Sequence, residues 1–184
     1  MALSVSGAVL AGGASRRMGV DKAWRPLDGQ PAALVLADRL GRAGLDDVFL
    51  VTKGAPPRPT RWRWVDDRHP DHHPLHGVAA ALREATEDRV LVVACDLLQV
   101  DDSTLRALLA HPGPVVAAAG EDVQPLLAVL HRSQLAEAEA LARAGASAHR
   151  LVRDLPRLDV PAAVLHNANT PEQWPAPPGG EPWR

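Results

Sequence analysis

Two kinds of apolar pattern alternate along the chain. Uninterrupted apolar runs occur at Ala8–Ala11, within Asp47–Thr52, at Arg89–Ala94 and at Val115–Ala119. Such runs predict strands buried on both faces, as in a parallel sheet. Between them lie segments whose apolar residues recur every three or four positions. Leu34, Val35, Ala37, Leu40 and Ala43 predict a helix that starts near Pro31 and stops at Gly44. Further helices are predicted from about Gly77 to Glu84, from the Asp101-Asp102-Ser103 cap to Leu109, from Ser133 to about Ala144, and over about Ala148–Asp154. Weaker strand patterns cover Arg63–Val65, Leu158–Val160 and Ala162–His166, and a strand starting at a proline covers Pro125–His131. Alternation of this kind predicts one α/β/α three-layer domain on a mostly parallel sheet, over residues 1–174. The Pro- and Gly-rich tail, 175–184, lies outside it.

Composition narrows the picture. The chain has 184 residues, 46% of them hydrophobic and 23% charged, with a formal net charge of -2. That length suits one domain with a substantial core, and the charge balance gives no basic excess for nucleic acid or a membrane surface. The one cysteine, Cys95, excludes an internal disulfide framework and a thiolate zinc cluster, and fits a reducing cytoplasm. The first residues read as a strand rather than a signal peptide, and no apolar stretch is long enough to span a bilayer.

Chemistry concentrates where the first strand ends. Leu10, Ala11, Gly12 and Gly13 lead into Ser15, Arg16, Arg17 and then Asp21 and Lys22. A glycine turn leaving a strand exposes backbone N–H groups that can cradle phosphate, and Arg17 and Lys22 add positive charge. Gly-Gly can equally be a plain tight turn. Asp96 follows the strongest interior strand, which places its carboxylate on the same rim, as a metal ligand or as a turn cap. Asn169 precedes Thr170-Pro171, and Asp66-Asp67 follows the short third strand. His69, His72, His73 and His76 crowd a proline-broken loop without the i, i+4 spacing of a helical metal site; adventitious metal binding is the expectation there.

The uninterrupted run LAGGxSxRMGxDKA resembles the signature loop of the molybdenum cofactor guanylyltransferase family. It is neither a Walker A loop nor a GxGxxG turn. Later segments are similar to the family's pattern in the family's order: Asp67-Arg68 with PLxG at Pro74–Gly77, Cys95-Asp96, QPLxA from Gln124, and NxNTP from Asn167 to Pro171. Five positions depart from that pattern, with His73 for a glycine, Leu98 for a proline, Gln124 for a glutamate, Leu130 for a tyrosine and Gln173 for an aspartate.

The resemblance implies a Rossmann-like nucleotidyltransferase fold and transfer of GMP from GTP to molybdenum-bound molybdopterin, with release of pyrophosphate. It implies nucleotide binding by Leu10, Ala11, Gly12, Gly13, Ser15, Arg17, Lys22, Asp67 and Asp96, with Asp66 as the alternative to Asp67. Arg17, Lys22 and Asp96 would carry catalysis, and Asp96 with Asn169 would hold Mg²⁺. Implied partners are GTP, a molybdopterin-type acceptor and, transiently, cofactor biosynthesis proteins or apoenzymes. Use of CTP, another phosphorylated acceptor, or nucleotide binding without turnover are the alternatives.

Overall fold

The computed structural model describes residues 4–12 and 22–174. Gly13, Ser15 and Arg17, together with Asp21 and the tail from 175, lie outside the described residues.

The chain opens with β1 (Val5–Leu10), followed by a two-stranded hairpin, β2 (Pro26–Leu27) and β3 (Gln30–Pro31). Asp28 and Gly29 form its tip, both with positive φ (53° and 82°), the pairing a two-residue type I′ turn requires. Then come α1 (Ala32–Arg42), β4 (Val48–Thr52), β5 (Arg63–Asp66), α2 (Pro74–Glu84), β6 (Arg89–Ala94) and α3 (Asp102–Ala110). β7 (Val115–Ala119), β8 (Asp122–His131), α4 (Leu135–Arg143), α5 (His149–Val152) and β9 (Arg157–Asp159) complete the order.

Seven strands form one sheet in the order β5-β4-β1-β6-β8-β7-β9. β8 alone runs against its neighbours, β6 and β7. The carboxyl ends of β1, β4 and β6 therefore share a rim with the start of β8. Helices cover both faces. Leu36 and Leu40 of α1 and Leu105 and Leu108 of α3 pack on one side with Val9, Leu50, Leu91 and Val93. Leu75, Val78 and Leu82 of α2 and Ala138 of α4 pack on the other with Phe49, Val51, Val90 and Val92. The alternating burial of these strand residues on opposite faces follows from the two-residue pleat.

Three local differences from the sequence patterns have physical causes. Ala162–Leu165 is a 3₁₀ turn, not a strand, with Val164 N–H donating to the carbonyl of Pro161. Pro125 lies inside β8 rather than at its start, and is tolerated because the β7–β8 register slips there, from Val116↔Ala128 to Ala117↔Gln124. Helix α2 begins three residues early because His73 caps it. The His73 imidazole Nδ1 accepts from Leu75 N–H at 3.3 Å, and Pro74 sits in the first turn, where a missing N–H costs nothing.

The amino ends of the strands are tied by Asp47. Its carboxylate accepts from Ser6 Oγ at 2.6 Å, Thr86 Oγ1 at 2.9 Å, Thr86 N–H at 3.1 Å and Arg63 at 2.8 Å. One side chain thus joins the starts of β1 and β5 to the segment entering β6. Burial pushes its pKa up, but these hydrogen bonds outweigh burial and hold it below the ordinary aspartate value.

Candidate active site

At the opposite, carboxyl rim, β1 ends between two neighbours. Ala11 N–H donates to the carbonyl of Val51 at 2.7 Å, and Cys95 N–H donates to that of Leu10 at 3.1 Å. Gly12 leaves the sheet here against Lys53: a Cβ on Gly12 would lie 3.2 Å from Lys53 Cγ and 3.4 Å from its backbone nitrogen. The missing side chain keeps the backbone accessible where a ligand would approach it.

A cavity of about 250 Å³ opens at this point, lined by Leu10, Gly12, Lys22, Asp67, Asp96 and Asn167 among others. Val51, Pro74, Gly77 and Leu126 give it apolar walls, and Cys95, buried in the core, contributes to its floor. A cleft with apolar walls and a few converging polar groups is the form small-molecule sites take.

Lys22, in the 3₁₀ turn Lys22–Trp24, reaches Asp96 just past β6. Its ammonium lies 3.6 Å from Asp96 Oδ2, and both side chains are only 16% exposed. The same ammonium donates to Asn169 Oδ1 at 2.7 Å. Asp96 and Asn169 thus present oxygens to one cation. Hard oxygen donors of this kind suit Mg²⁺, which takes one or two carboxylates and completes its shell with water and substrate phosphate. The residues fit such an ion.

The segment carrying the asparagines is tied to Asp96 twice. Ala168 N–H donates to the Asp96 carbonyl at 2.9 Å, and the Asn167 amide donates to Asp96 Oδ1 at 3.2 Å. Sequence reading singled out Asn169 and passed over Asn167, although both belong to the NxN spacing. Gln173, which stands where the family pattern has an acid, accepts from Asn169 N–H at 2.6 Å and from Thr170 N–H at 3.0 Å. An acceptor oxygen is all that turn requires of residue 173.

Asp67 is 7% exposed and borders the cavity, whereas Asp66 accepts from Gly54 N–H at 2.9 Å and serves the loop after β4. Asp67 pairs with Lys53 at 3.1 Å. Lys53 also donates to the carbonyls of His69 and, at 2.8 Å, Asp71, so it holds the whole His-rich loop against the rim. Nothing in its sequence neighbourhood pointed to Lys53 except its place immediately after a buried strand.

Where that loop enters α2, potential ligand atoms of His69, Asp71 and His76 come within 4.8 Å of one another. The rings of His69 and His76 are stacked at 3.4 Å. Desolvation, followed by the neighbouring His69, pushes the His76 imidazole below its ordinary pKa. Leu98, in the place of a proline, sits in a turn held from outside: Arg39 donates to the carbonyls of Leu98 at 3.0 Å and Val100 at 2.7 Å. A guanidinium from α1 supplies the rigidity a proline ring would.

A Rossmann-like sheet with Gly12, a lysine and an aspartate converging at its carboxyl rim defines a nucleotidyltransferase of the α/β class. Residues 7–160 match the MobA-like NTP transferase domain, and the chain belongs to that family. It is 35% identical over 178 residues to the molybdenum cofactor guanylyltransferase of Xanthomonas euvesicatoria, covering 92% of each chain. In fold it is similar to the molybdopterin-guanine dinucleotide biosynthesis protein A of Archaeoglobus fulgidus, with a TM-score of 0.72 at 21% identity, over 91% of this chain and 94% of that one. It is also similar to Rv0371c of Mycobacterium tuberculosis, solved in complex with manganese, with a TM-score of 0.60 at 20% identity over 85% and 88% of the two chains. No helix among the described residues is long and apolar enough to cross a membrane.

Proposed function

We propose that the protein transfers GMP from GTP to molybdenum-bound molybdopterin and releases pyrophosphate. The observation that carries this reading is the meeting of the Lys22 ammonium with Asp96 Oδ2 and Asn169 Oδ1 beside Gly12, on one rim of the sheet. The name borne by the Xanthomonas relative supports the guanylyl donor and the molybdenum cofactor as acceptor.

Nucleotidyl transfer needs alignment of an ionised phosphate with the α-phosphorus and neutralisation of charge on the oxygens; no covalent nucleophile is required. The acceptor phosphate is already ionised at neutral pH, so no protein base is required either. Gly12 admits the phosphates close to the backbone. Lys22 turns from Asp96 toward the phosphate oxygens and balances the charge that builds on the leaving pyrophosphate. The cavity walls at Leu10, Val51, Pro74 and Gly77 accommodate a flat purine, with Asp67 at their edge. Gly13, Ser15 and Arg17 complete the phosphate grip in this reading. Asp96 and Asn169 would hold Mg²⁺, which when bound supplies charge neutralisation at the phosphates.

The test is pyrophosphate release by the purified chain, with GTP or CTP and with or without molybdenum-loaded molybdopterin. Release with GTP that depends on the acceptor is the expected result. Release with CTP alone, or none with any pair, would overturn the proposal.

A further inference from the structure

We infer that Gln124 is a positioning residue that fixes which end of the Asn167 amide faces Asp96. The inference rests on the nucleotidyltransferase reading for its catalytic readout, but its geometry stands alone. The slip in β7–β8 pairing leaves Leu126 N–H to donate to Gln124 Oε1, at 3.3 Å. The other end of the same amide, Nε2, donates to the carbonyl of Leu165 at 3.1 Å. Two backbone groups, one donor and one acceptor, therefore set the orientation of Gln124 without reference to any side chain.

That orientation propagates. Gln124 Nε2 lies 2.6 Å from Asn167, so the Asn167 atom it meets must be the acceptor, Oδ1. The Asn167 NH₂ group is left to donate to Asp96 Oδ1 at 3.2 Å. With the amide reversed, two acceptor oxygens would oppose each other at that distance. The carboxylate is thereby held by an N–H on Oδ1, and its Oδ2 faces the cation side, where Lys22 lies. Gln124 touches neither Lys22 nor Asp96 in this chain of contacts; it acts through Asn167. Hydrogen bonds to a charged group are the stronger kind, and losing the orientation of one frees Asp96 to rotate away from the cation.

The experiment uses the full chain with Mn²⁺ and α,β-methylene-GTP, followed by electron paramagnetic resonance, beside steady-state turnover of GTP. Gln124→Met is expected to weaken Mn²⁺ binding and lower kcat, each by roughly tenfold, with KM for GTP unchanged. Asn167→Ala should do at least as much, and the double variant should lose no more than Asn167→Ala alone. Losses that multiply in the double variant, or Gln124→Met within twofold of the unsubstituted chain in both readouts, overturn the inference.

Side-chain amide spectra of the unsubstituted protein give a second measurement that needs neither turnover nor a stable Gln124 variant. The Gln124 and Asn167 NH₂ protons should exchange slowly, and Asp96→Ala should speed exchange at Asn167 while sparing Gln124. Both amides exchanging like free side chains would refute the orientation, whatever the protein does with GTP. Absence of GTP turnover in a protein whose amides are locked in this way would instead refute the proposed function.

Discussion

Replacing Asp96 by Asn is the perturbation that best separates the chemistry of this rim from its stability. The side chain keeps its size, and its amide oxygen still accepts from Asn167, whose NH₂ lies 3.2 Å from Oδ1. The charge disappears, and the atom in the place of Oδ2, which faces Lys22, becomes an NH₂ donor. At the 3.6 Å separation of Lys22 and Asp96, an effective dielectric near 20 gives a gross attraction of about 4 to 5 kcal/mol. Most of that is offset by the desolvation both groups already carry, and Lys22 retains Asn169 as an acceptor at 2.7 Å. The expected change in unfolding free energy is therefore small, about 1 kcal/mol. Catalysis has no such compensation, since a fixed charge aimed at the reacting phosphates is worth about 10²- to 10³-fold in rate. Pyrophosphate release measured beside urea unfolding should show kcat falling by about that factor while the unfolding midpoint moves little. An Asp96→Asn protein that is folded and turns over within threefold of the unsubstituted chain would refute the assignment of Asp96 to the reaction.

Other predictions concern the scaffold. Gly7 sits in β1 where a Cβ would lie 2.8 Å from Leu45 Cδ1 and 3.1 Å from Leu40 Cδ1; Gly7→Val should overpack α1 against the sheet and cost about 1 to 3 kcal/mol in denaturant unfolding. Asp101 caps α3, accepting from Thr104 N–H at 2.7 Å, so Asp101→Ala should lose about 1 kcal/mol, with turnover unchanged in the folded protein. The depressed pKa of Asp47 makes its contribution present above the unfolded value, near 3.8, and lost as pH falls through the lower folded value. The stability gap between the unsubstituted chain and Asp47→Asn should accordingly be level above about pH 5 and close on acidification below pH 4; a gap that stayed level down to pH 2 would contradict the linkage.

The apolar runs were enough to place most of the sheet. Arg89–Ala94 and Val115–Ala119 coincide with β6 and β7, because strands buried on both faces leave no polar positions to blur their ends. What the letters could not show was direction. The second half of β8 is as aliphatic as its neighbours β6 and β7, and the hairpin at Gly120, with φ of 60°, sets it antiparallel to β7. Ala162–His166 read as a strand because a short apolar run carries no period of its own, whereas Ala162–Leu165 form a 3₁₀ turn after Pro161.

The site divides in the same way. Lys22, Asp96 and Asn169 were legible because a loop motif, a strand-end position and the NxNTP segment marked them, and the fold brings Lys22 to both of the others. Asn167, Gln124 and Lys53 were not, since each matters through what lies beside it in space. Gln124 and Asn167 are separated by 43 residues, and Lys53 meets Asp67 across parallel strands. The departures at His73 and Leu98 needed the structure too: a capping imidazole and an arginine from another helix stand in for the family's usual residues.

Because β8 is inverted, the groove has two walls of opposite strand direction that meet at the β6–β8 ladder. One comes from the trailing ends of β1, β4 and β6, whose spacing is locked by their ladders. The other follows a two-residue hairpin between Ala119 and Asp122 and is itself laddered to β6, from Arg89↔His131 to Val93↔Leu127. Inserting or deleting residues at that hairpin would shift β7 against β8, while the ladder to β6 keeps Leu127 opposite Val93. Any change that moved Gln124 would reach Asp96 through Asn167, so the two sides of the groove vary together.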